Sequence, residues 1–433
     1  MNLLWKKIVS SLWFVPTLMT LSSIFAAAGL LWVDDTITYS KLPFQGFLYG
    51  GDKEGARAVL STIASSMVSL AGVTFSITLV ALTLASSQFG PRLLRNFISD
   101  KGNQVVIGTF ISTFSYSLLV LLMIGGTGKE EFIPKISVVF AFLLSIVSLG
   151  VLIYFIHHMA SSIQAESVIT SSFKALEEAI HNFMQKDRSV TASISRNDAR
   201  STVQAKKQWV IPVQATHTGF LQTINFEEIS EWASENDLVV DIRVQVGDFV
   251  SIHELIAYLL SYKHLNPELT KKATSFFTIG SRRTPVQEID FSIKQIVEVA
   301  VRALSPGIND PHTAMTCIGY LGAGLSLVAK KNFPPIVEMD RNEDIRLIKK
   351  SYTYHGVVGA CFNQIQIYAT SNIYVLEEML LSIRKVMPLV KHEEFKAALI
   401  EKSESLIHDL RKNGKDQQAV VRANRIYDEI MQY

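Results

Sequence analysis

The stretch that decides the fold is LSTIASSMVSLAGVTFSITLVALTLASSQF, residues 60–89. These thirty residues contain no Asp, Glu, Lys, Arg or His. A helix of that length spans about 45 Å, which exceeds the ~30 Å hydrocarbon core of a bilayer. Gly90 and Pro91 follow directly and predict the end of the helix. We therefore expect a transmembrane helix that is tilted or that continues beyond the bilayer.

One face of this helix carries small and hydroxyl side chains. Steps of three, four or seven residues keep them on one side, and they are Ser65, Ser69, Gly72, Ser76, Thr83 and Ser87. The opposite face carries Met67, Leu70, Val73, Leu79 and Leu82. The stripe is typical of close helix packing, and it is also typical of a pore wall built from several subunits. The pattern favours packing slightly, and one stripe can serve both purposes in an oligomer.

The composition predicts a membrane protein with a large aqueous part. Of the 433 residues, 48% are hydrophobic and 18% are charged, whereas about a quarter are charged in ordinary soluble domains. Residues 1–157 contain ten Lys/Arg and seven Asp/Glu, and residues 158–433 contain thirty-one and thirty-two. This distribution excludes a single soluble globule, a disordered chain and a nucleic-acid binder driven by bulk positive charge.

Three further charge-free windows are each long enough for a span, which needs ~20 residues; they are Ile8–Val33, Gly102–Gly128 and Ile136–Ile156. We expect four transmembrane helices, at about 10–33, 60–89, 104–125 and 134–157. A cleaved signal peptide is the alternative for the first window, but its apolar core is too long. The absence of ionisable residues from these windows argues against proton-coupled carriers and voltage sensors, which need charged groups at depth.

The orientation signal is weak because the Lys/Arg counts of the short loops are nearly balanced. An even number of spans places both termini on one side, and Lys6 and Lys7 beside the first span favour the cytoplasm. The large C-terminal domain is then cytoplasmic as well. A reducing cytoplasm would keep Cys317 and Cys361 as free thiols, and we interpret both as small core residues.

Two runs of sequence resemble a known family. They are TLASSQFGPRLLRNF, residues 83–97, and RALSPGINDP, residues 302–311, with Thr313-Ala314, Arg283-Thr284 and Gln287 as further matches. The sequence is similar, over nearly its whole length, to a bacterial family of predicted inner-membrane proteins, domain of unknown function 2254. The resemblance implies four spans and a cytoplasmic domain, and it implies no activity. His312 departs from the family's pattern, so the resemblance gives it no role.

The aqueous part divides into three segments. Apolar residues at helical spacing predict that the fourth span continues as a stalk through about Gln185, and residues 158–206 form this stalk and a linker. Short β-rich runs with Gly/Asp turns predict a small β module at 207–262, with a helix at 226–235 between strands. Its Val244–Val250 phrase resembles half of a biotinyl/lipoyl sandwich, but the turn carries no lysine for a swinging arm. Residues 263–433 are predicted to be helical.

A candidate ligand pocket surrounds the loop 305–311, which joins two predicted helices. Arginines beside a helix N-terminus can bind an anion or phosphate, and the candidate residues are Arg282, Arg283, Gln287, Arg302, Asn309, Asp310 and His312. Capping explains the same loop: Pro306 and Gly307 stop one helix, and Asp310 caps the next. Capping is the favoured interpretation, ahead of a ligand site and of acid–base catalysis by Asp310 and His312.

No nucleotide-binding, nucleophile or zinc motif is present in the sequence, so we name no catalytic residue, metal or cofactor. The first functional hypothesis is a homo-oligomeric inner-membrane channel for ions or small solutes, with Gln88, Arg92 and Arg95 at its cytoplasmic mouth. The second is a non-transporting membrane sensor or scaffold whose cytoplasmic site binds a ligand, such as a small anion, or a protein. A membrane-anchored enzyme is the third and least supported hypothesis.

Overall fold

The computed structural model describes residues 11, 13–36, 49–90, 100–124, 132–184, 196–206, 209–262, 264, 266, 268–284, 287–414 and 416–433. Contacts divide the chain into two compact units, Met1–Val168 and Ile169–Tyr433. The first unit is helical, and the second combines helices with two small sheets.

The first unit contains four long apolar helices: α1 Phe14–Thr36, α2 Lys53–Phe89, α3 Lys101–Met123 and α4 Lys135–Ser162. These helices cover most of the described residues in the four predicted spans, and their crossing of a membrane stays a prediction. Helix α2 is longer than its apolar stretch because Asp52 caps it, accepting a 2.9 Å hydrogen bond from the Gly55 N–H. The helix ends at Phe89, as predicted, and Gly90 follows with φ 105°, a conformation that favours glycine.

Helix α3 is the centre of the first unit and packs against each of the other three helices. Its buried face carries large side chains, of which Phe110 and Tyr116 are fully enclosed. Two hydroxyl groups on this face have partners inside the bundle: the Thr113 and Ser148 hydroxyls lie 3.1 Å apart, and the Tyr116 hydroxyl donates to the Ser137 carbonyl at 3.1 Å. Buried hydroxyls need such partners because an unmatched one is costly in an apolar interior.

Polar contacts between the helix ends show that successive helices run in alternating directions. Arg57 in the first turns of α2 donates to the Ile124 carbonyl at the end of α3, at 3.0 Å. At the other end, Asp100 caps α3 through the Gly102 N–H and lies 2.5 Å from His158 in the last turns of α4. His158 therefore links the end of α4 to the beginning of α3.

The predicted continuous stalk is wrong. Helix α4 ends at Ser162, and α5 Ala165–Met184 begins after a break of two residues. Before the break, the hydroxyls of Ser161 and Ser162 bond to the carbonyls of His157 and His158, a pattern that competes with the backbone ladder and bends helices. The segment 186–195 of the predicted linker lies outside the described residues, and α6 Arg196–Lys206 follows it.

The sheets of the second unit comprise β1 Trp209–Gln214, β2 Gly219–Ile224, β3 Val239–Ile242, β4 Phe249–Val250, β5 Leu255–Ser261, β6 Phe277–Gly280, β7 Val337–Met339 and β8 Ile345–Ile348. Five strands form one sheet in the order β1-β5-β3-β8-β7, and three form another in the order β4-β2-β6. Only the β3–β8 pair is parallel among the described pairings. The interstrand helix α7 Phe226–Glu235 has its predicted bounds.

The prediction that the β module ends at 262 is wrong, because β6, β7 and β8 come from the segment predicted to be helical. These strands have only three or four residues, too few for a clear alternating pattern. The turn predicted at Gly247-Asp248 is present, and Gly247 has φ 96°. A side chain there would collide with the buried Glu288 carboxylate, whose atoms lie 2.5–2.6 Å from the site of its Cβ.

The remaining helices are α8 Glu268–Ser275, α9 Ile289–Ala303, α10 Pro311–Ala329, α11 Tyr354–Ala369, α12 Ile373–Val386, α13 Glu393–Asn413 and α14 Gln417–Met431, with a 3-10 turn at Met387–Leu389. Breaks near residues 370, 388 and 414 separate the last four of these helices. Cys317 and Cys361 are free and buried, as predicted. Five described helices are long and apolar enough to cross a membrane, α1–α4 and α10; α10 packs against α9, α11 and α12.

Candidate functional site

The hydroxyl stripe of α2 lies on the surface of the first unit. Ser65, Ser69, Gly72, Ser76, Thr83 and Ser87 are all exposed. The residues that α2 buries against its neighbours lie about half a turn away around the helix, and they are Ala56, Leu60, Ile63, Ala64, Met67, Thr74, Thr78, Ala81, Ala85 and Phe89. The stripe therefore does not pack within the described part of the subunit.

Each stripe hydroxyl donates its proton within α2. Ser65, Ser69 and Ser76 donate to the carbonyl four residues earlier, at 2.8, 3.0 and 3.0 Å. Thr83 does the same at 2.9 Å, and Ser87 donates to the Leu84 carbonyl at 2.8 Å. Because these protons are engaged, the stripe presents chiefly oxygen lone pairs to its surroundings. The surface is uncharged and rich in hydrogen-bond acceptors.

The stripe is longer than the sequence prediction. Ala58, Ser61 and Thr62 precede Ser65 at helical spacing and are also exposed. The same spacing rule could have found them, since they lie seven, four and three residues before Ser65. No heavy atom lies within 4 Å of a Cβ built on Gly72, so nothing inside the subunit requires glycine there.

The predicted cytoplasmic mouth is only partly described. Gln88 is exposed in the last turn of α2. Arg92 and Arg95 lie outside the described residues. The charge at this end of the stripe is therefore an inference from sequence.

The first group of candidate pocket residues fixes the loop before α9. Arg283 forms an ion pair with Glu288, whose side chain is 1% exposed. The Gln287 side chain accepts from the Ile224 N–H at 3.0 Å and donates to the Ile224 carbonyl at 3.3 Å. The Arg282 carbonyl accepts from the Gln222 amide at 2.7 Å. These contacts hold the loop against β2. A structural role therefore explains the presence of these polar residues.

The second group surrounds the loop between α9 and α10. Asp310 caps α10, accepting from the Thr313 N–H at 3.1 Å and from the Thr313 hydroxyl at 2.6 Å. The hydrogen bond from the Thr313 hydroxyl is the chief cause that lowers the Asp310 pKa. Asn309 has φ 49°, His312 is exposed, and Arg302 lies 3.7 Å from Glu298.

The structure does not bring the candidate pocket together. Arg282, Arg283 and Gln287 precede the fifteen-residue helix α9, whereas Arg302, Asn309, Asp310 and His312 lie at its end or beyond it. A helix of that length separates the two groups by roughly 20 Å. The best-defined contacts of the first group hold its loop to β2 and Glu288, and those of the second group are helix-cap contacts.

Two features of the described residues concern metal binding and charge, which the sequence left open. No group of three or more His, Cys, Asp or Glu in the described part of the chain could hold a metal ion. Three arginines do converge on one buried aspartate, Asp241, at the edge of helix α6. The sequence prediction missed this cluster because its members are separated by up to 47 positions and form no motif.

Comparison with known proteins identifies relatives but no activity. Three mycobacterial proteins match 379 residues at 31% identity, covering 86% of this chain and 70% of each relative. They are the uncharacterized proteins MT1328 and Rv1290c of Mycobacterium tuberculosis and Mb1321c of Mycobacterium bovis. No solved structure gives a significant match. The family model described as "Predicted membrane protein (DUF2254)" matches residues 9–385, and the chain therefore belongs to this family.

Proposed function

We propose that the protein is a homo-oligomeric membrane conduit for ions or small solutes, in which α2 of each subunit faces the symmetry axis. The observation that carries the proposal is the exposed face of α2, which between Ala58 and Ser87 is small and hydroxylic along its centre line except at the turn of Leu79 and Val80. A helix that faces only lipid does not need small side chains along one face. A helix that packs against copies of itself does need them, because small side chains allow the backbones to approach closely.

The chemistry of the stripe supports conduction rather than packing alone. Its hydroxyl protons are used inside α2, so its oxygens are available to replace part of a solute's hydration shell. The absence of charge between Arg57 and Arg92 gives a passing solute no strong site that would retain it. Hydrogen-bond acceptors suit cations and neutral donors better than anions.

The proposed arrangement has four spans, α1–α4, in the bacterial inner membrane. Helix α10 is assigned to the cytoplasmic domain because it is the least apolar of the five candidate helices and because it packs against three helices of the second unit. The termini and the second unit are cytoplasmic in this proposal, with Lys6 and Lys7 retained inside. Reporter fusions after residues 45, 128 and 433 test it: a periplasmic reporter should be active only at the first two.

Conductance in planar bilayers tests the central proposal. The purified full chain should conduct, and Gly72→Phe should reduce unitary conductance at least several-fold because it fills the proposed axis. Val147→Phe on α4 is the matched control, since Val147 is 56% exposed and lies on another helix. Absence of conductance under varied ions and voltages, or equal effects of the two substitutions, would contradict the proposal.

Cysteine accessibility gives a second readout that does not depend on conductance. Both native cysteines are buried, so a single introduced thiol can be followed. Ser69→Cys and Ser76→Cys should react with a charged, membrane-impermeant thiol reagent, whereas Val147→Cys should not, because a thiol in lipid remains protonated. Equal protection at all three positions would indicate that the stripe is packed or lipid-covered, and would leave no aqueous path along α2.

A further inference from the structure

Three arginines surround a single aspartate in the second unit. Asp241 on β3 is 3% exposed and accepts two hydrogen bonds from Arg200, at 2.9 and 3.0 Å. Arg243 lies 2.9 Å and Arg196 3.5 Å from the same carboxylate. Arg196 also donates to the Ile242 carbonyl at 2.5 Å. One carboxylate thus holds three guanidinium groups.

The cluster is built by the contact of α6 with one face of the five-stranded sheet. Ala199 and Val203 of α6 pack with Val239 and Leu260 on this face. Arg196 and Arg200 are four residues apart, so both point from α6 toward the sheet. Asp241 lies opposite Tyr258 of the neighbouring strand, and the Arg243 guanidinium stacks 4.8 Å above the Tyr258 ring. The packing of α6 on the sheet and the stacking of Arg243 on Tyr258 therefore fix the positions of the arginines.

The charge of the cluster is not balanced among the described residues. Three guanidiniums and one carboxylate leave a formal excess of two positive charges. The Nε–H groups of Arg196 and Arg243 are buried without an acceptor in the described part of the chain, which is costly for a charged donor. Burial, and after it the positive charge of Arg200, lowers the Arg196 pKa.

The cluster is also open to a ligand. The side chains of Arg196, Arg200 and Arg243 retain 22%, 20% and 29% of their exposure, whereas Asp241 retains 3%. A ligand approaching from solvent therefore meets guanidinium groups and not the carboxylate. Guanidinium forks match the oxygens of phosphate groups, with two hydrogen bonds to one group.

We infer that Arg196, Arg200 and Arg243 form a binding site for a dianionic phosphate group, with Asp241 holding the three side chains in place. The two excess charges match the charge of a phosphate monoester near neutral pH. The group can belong to a soluble phosphate compound or to an anionic lipid headgroup, since the shared chemistry is the phosphate. This site does not depend on the proposed conduit.

Binding is tested on the full chain in nanodiscs of phosphatidylcholine, with inorganic phosphate or pyrophosphate added at constant ionic strength. Thermal unfolding should shift upward as the anion saturates the folded protein. Arg243→Gln should weaken binding about ten-fold, the loss expected for one charge-assisted hydrogen bond. The double variant Arg196→Gln/Arg243→Gln, whose net excess is zero, should weaken binding further. Arg411→Gln, outside the cluster, is the control and should bind as the wild type does.

A second arm distinguishes the sources of the phosphate. If a lipid headgroup occupies the site, nanodiscs containing phosphatidic acid should stabilise the wild type more than Arg196→Gln/Arg243→Gln. If a soluble phosphate compound occupies it, only the added soluble anions should stabilise the wild type more than this variant. If neither the soluble anions nor the lipid distinguishes the wild type from the double variant, the inference is wrong.

Discussion

The carboxylate of Asp34, near the end of α1, caps the first turn of α4 by bonding to Ser137. Its oxygens accept from the Ser137 N–H at 2.9 Å and from the Ser137 hydroxyl at 2.6 Å, and the Ile136 N–H adds a third bond at 3.0 Å. Pro134 at the cap position of α4 supplies no side-chain cap. A residue more than 100 positions earlier in the chain therefore satisfies donors that the local sequence leaves open.

Replacement of Asp34 should destabilise the first unit. Asp34→Ala should lower the free energy of unfolding by about 2 kcal/mol, because it leaves buried N–H groups without an acceptor and removes a negative charge from a helix N-terminus. Asp34→Asn should cost less, because an amide oxygen still accepts. Unfolding in mixed detergent micelles measures both. Glu54→Gln is the control, since Glu54 is 78% exposed and 3.8 Å from Arg57; an equal loss there would refute the capping role.

Substitution by valine should lower the free energy of unfolding at one glycine of the first unit and leave it almost unchanged at another. A Cβ on Gly108 would lie 3.2 Å from the Pro16 Cα and 2.6 Å from the Met19 sulfur, so Gly108→Val should separate α1 from α3 and cost about 2 kcal/mol. Gly72 has open space around it, so Gly72→Val should leave the unfolding free energy of a detergent-solubilised monomer within about 0.5 kcal/mol of the wild type. Similar losses at both positions would mean that Gly72 is packed after all.

Hydropathy made the helices of the first unit predictable, but it did not settle burial. Val73 and Leu79, which spacing assigned to the face opposite the stripe, are 54% and 56% exposed. The apolar windows place α1–α4 within a few residues, because a charge-free run of this length has few alternatives to a helix in lipid. The exposed stripe on α2 is also a consequence of helical spacing. The ties between helix ends, such as Asp34 with Ser137, are not predictable in this way. They depend on which helices become neighbours, and spacing along one helix contains no such information.

The second unit shows that a group of polar residues close together in sequence can be a weaker indication of a binding site than a cluster assembled by tertiary packing. The loop 305–311 offered several polar residues within a short segment, yet its described contacts are mainly those of a helix cap. The cluster at Asp241 combines residues from α6, β3 and the segment after β3. Its assembly depends on the docking of α6 against the sheet, which follows from tertiary packing. Composition and spacing could identify the arginines only as ordinary surface charges.

Neither native cysteine should react with a thiol reagent in the folded protein. Cys317 and Cys361 are 0% and 1% exposed, and burial raises the pKa of the Cys361 thiol well above its usual value. Reaction needs an accessible thiolate. Thiol counting at pH 8 should therefore detect no fast-reacting group in the native chain and two after denaturation. A fast-reacting thiol in the native chain would show that the core around α10 or α11 opens readily.

The capping role of Asp310 should appear as a pH-dependent stability. Its pKa is lowered in the folded chain, first by the Thr313 hydroxyl and also by the Thr313 N–H. A depressed folded pKa stabilises the protein at pH values above the unfolded pKa of about 3.9, and this contribution is lost as the pH falls through the folded pKa. Asp310→Ala should therefore cost about 1 kcal/mol at pH 7, and the cost should shrink below about pH 4.

Asn372 provides the matched control, because it caps α12 through the Val375 N–H at 3.4 Å and does not titrate. Asn372→Ala should lose stability equally at all pH values, whereas the cost of Asp310→Ala should depend on pH; denaturant unfolding between pH 3 and 7 measures both. Asp310→Asn separates the cap from a ligand site, since asparagine caps a helix about as well. A variant that keeps its stability but loses a phosphate-induced thermal shift would assign ligand binding to this loop, against the capping interpretation.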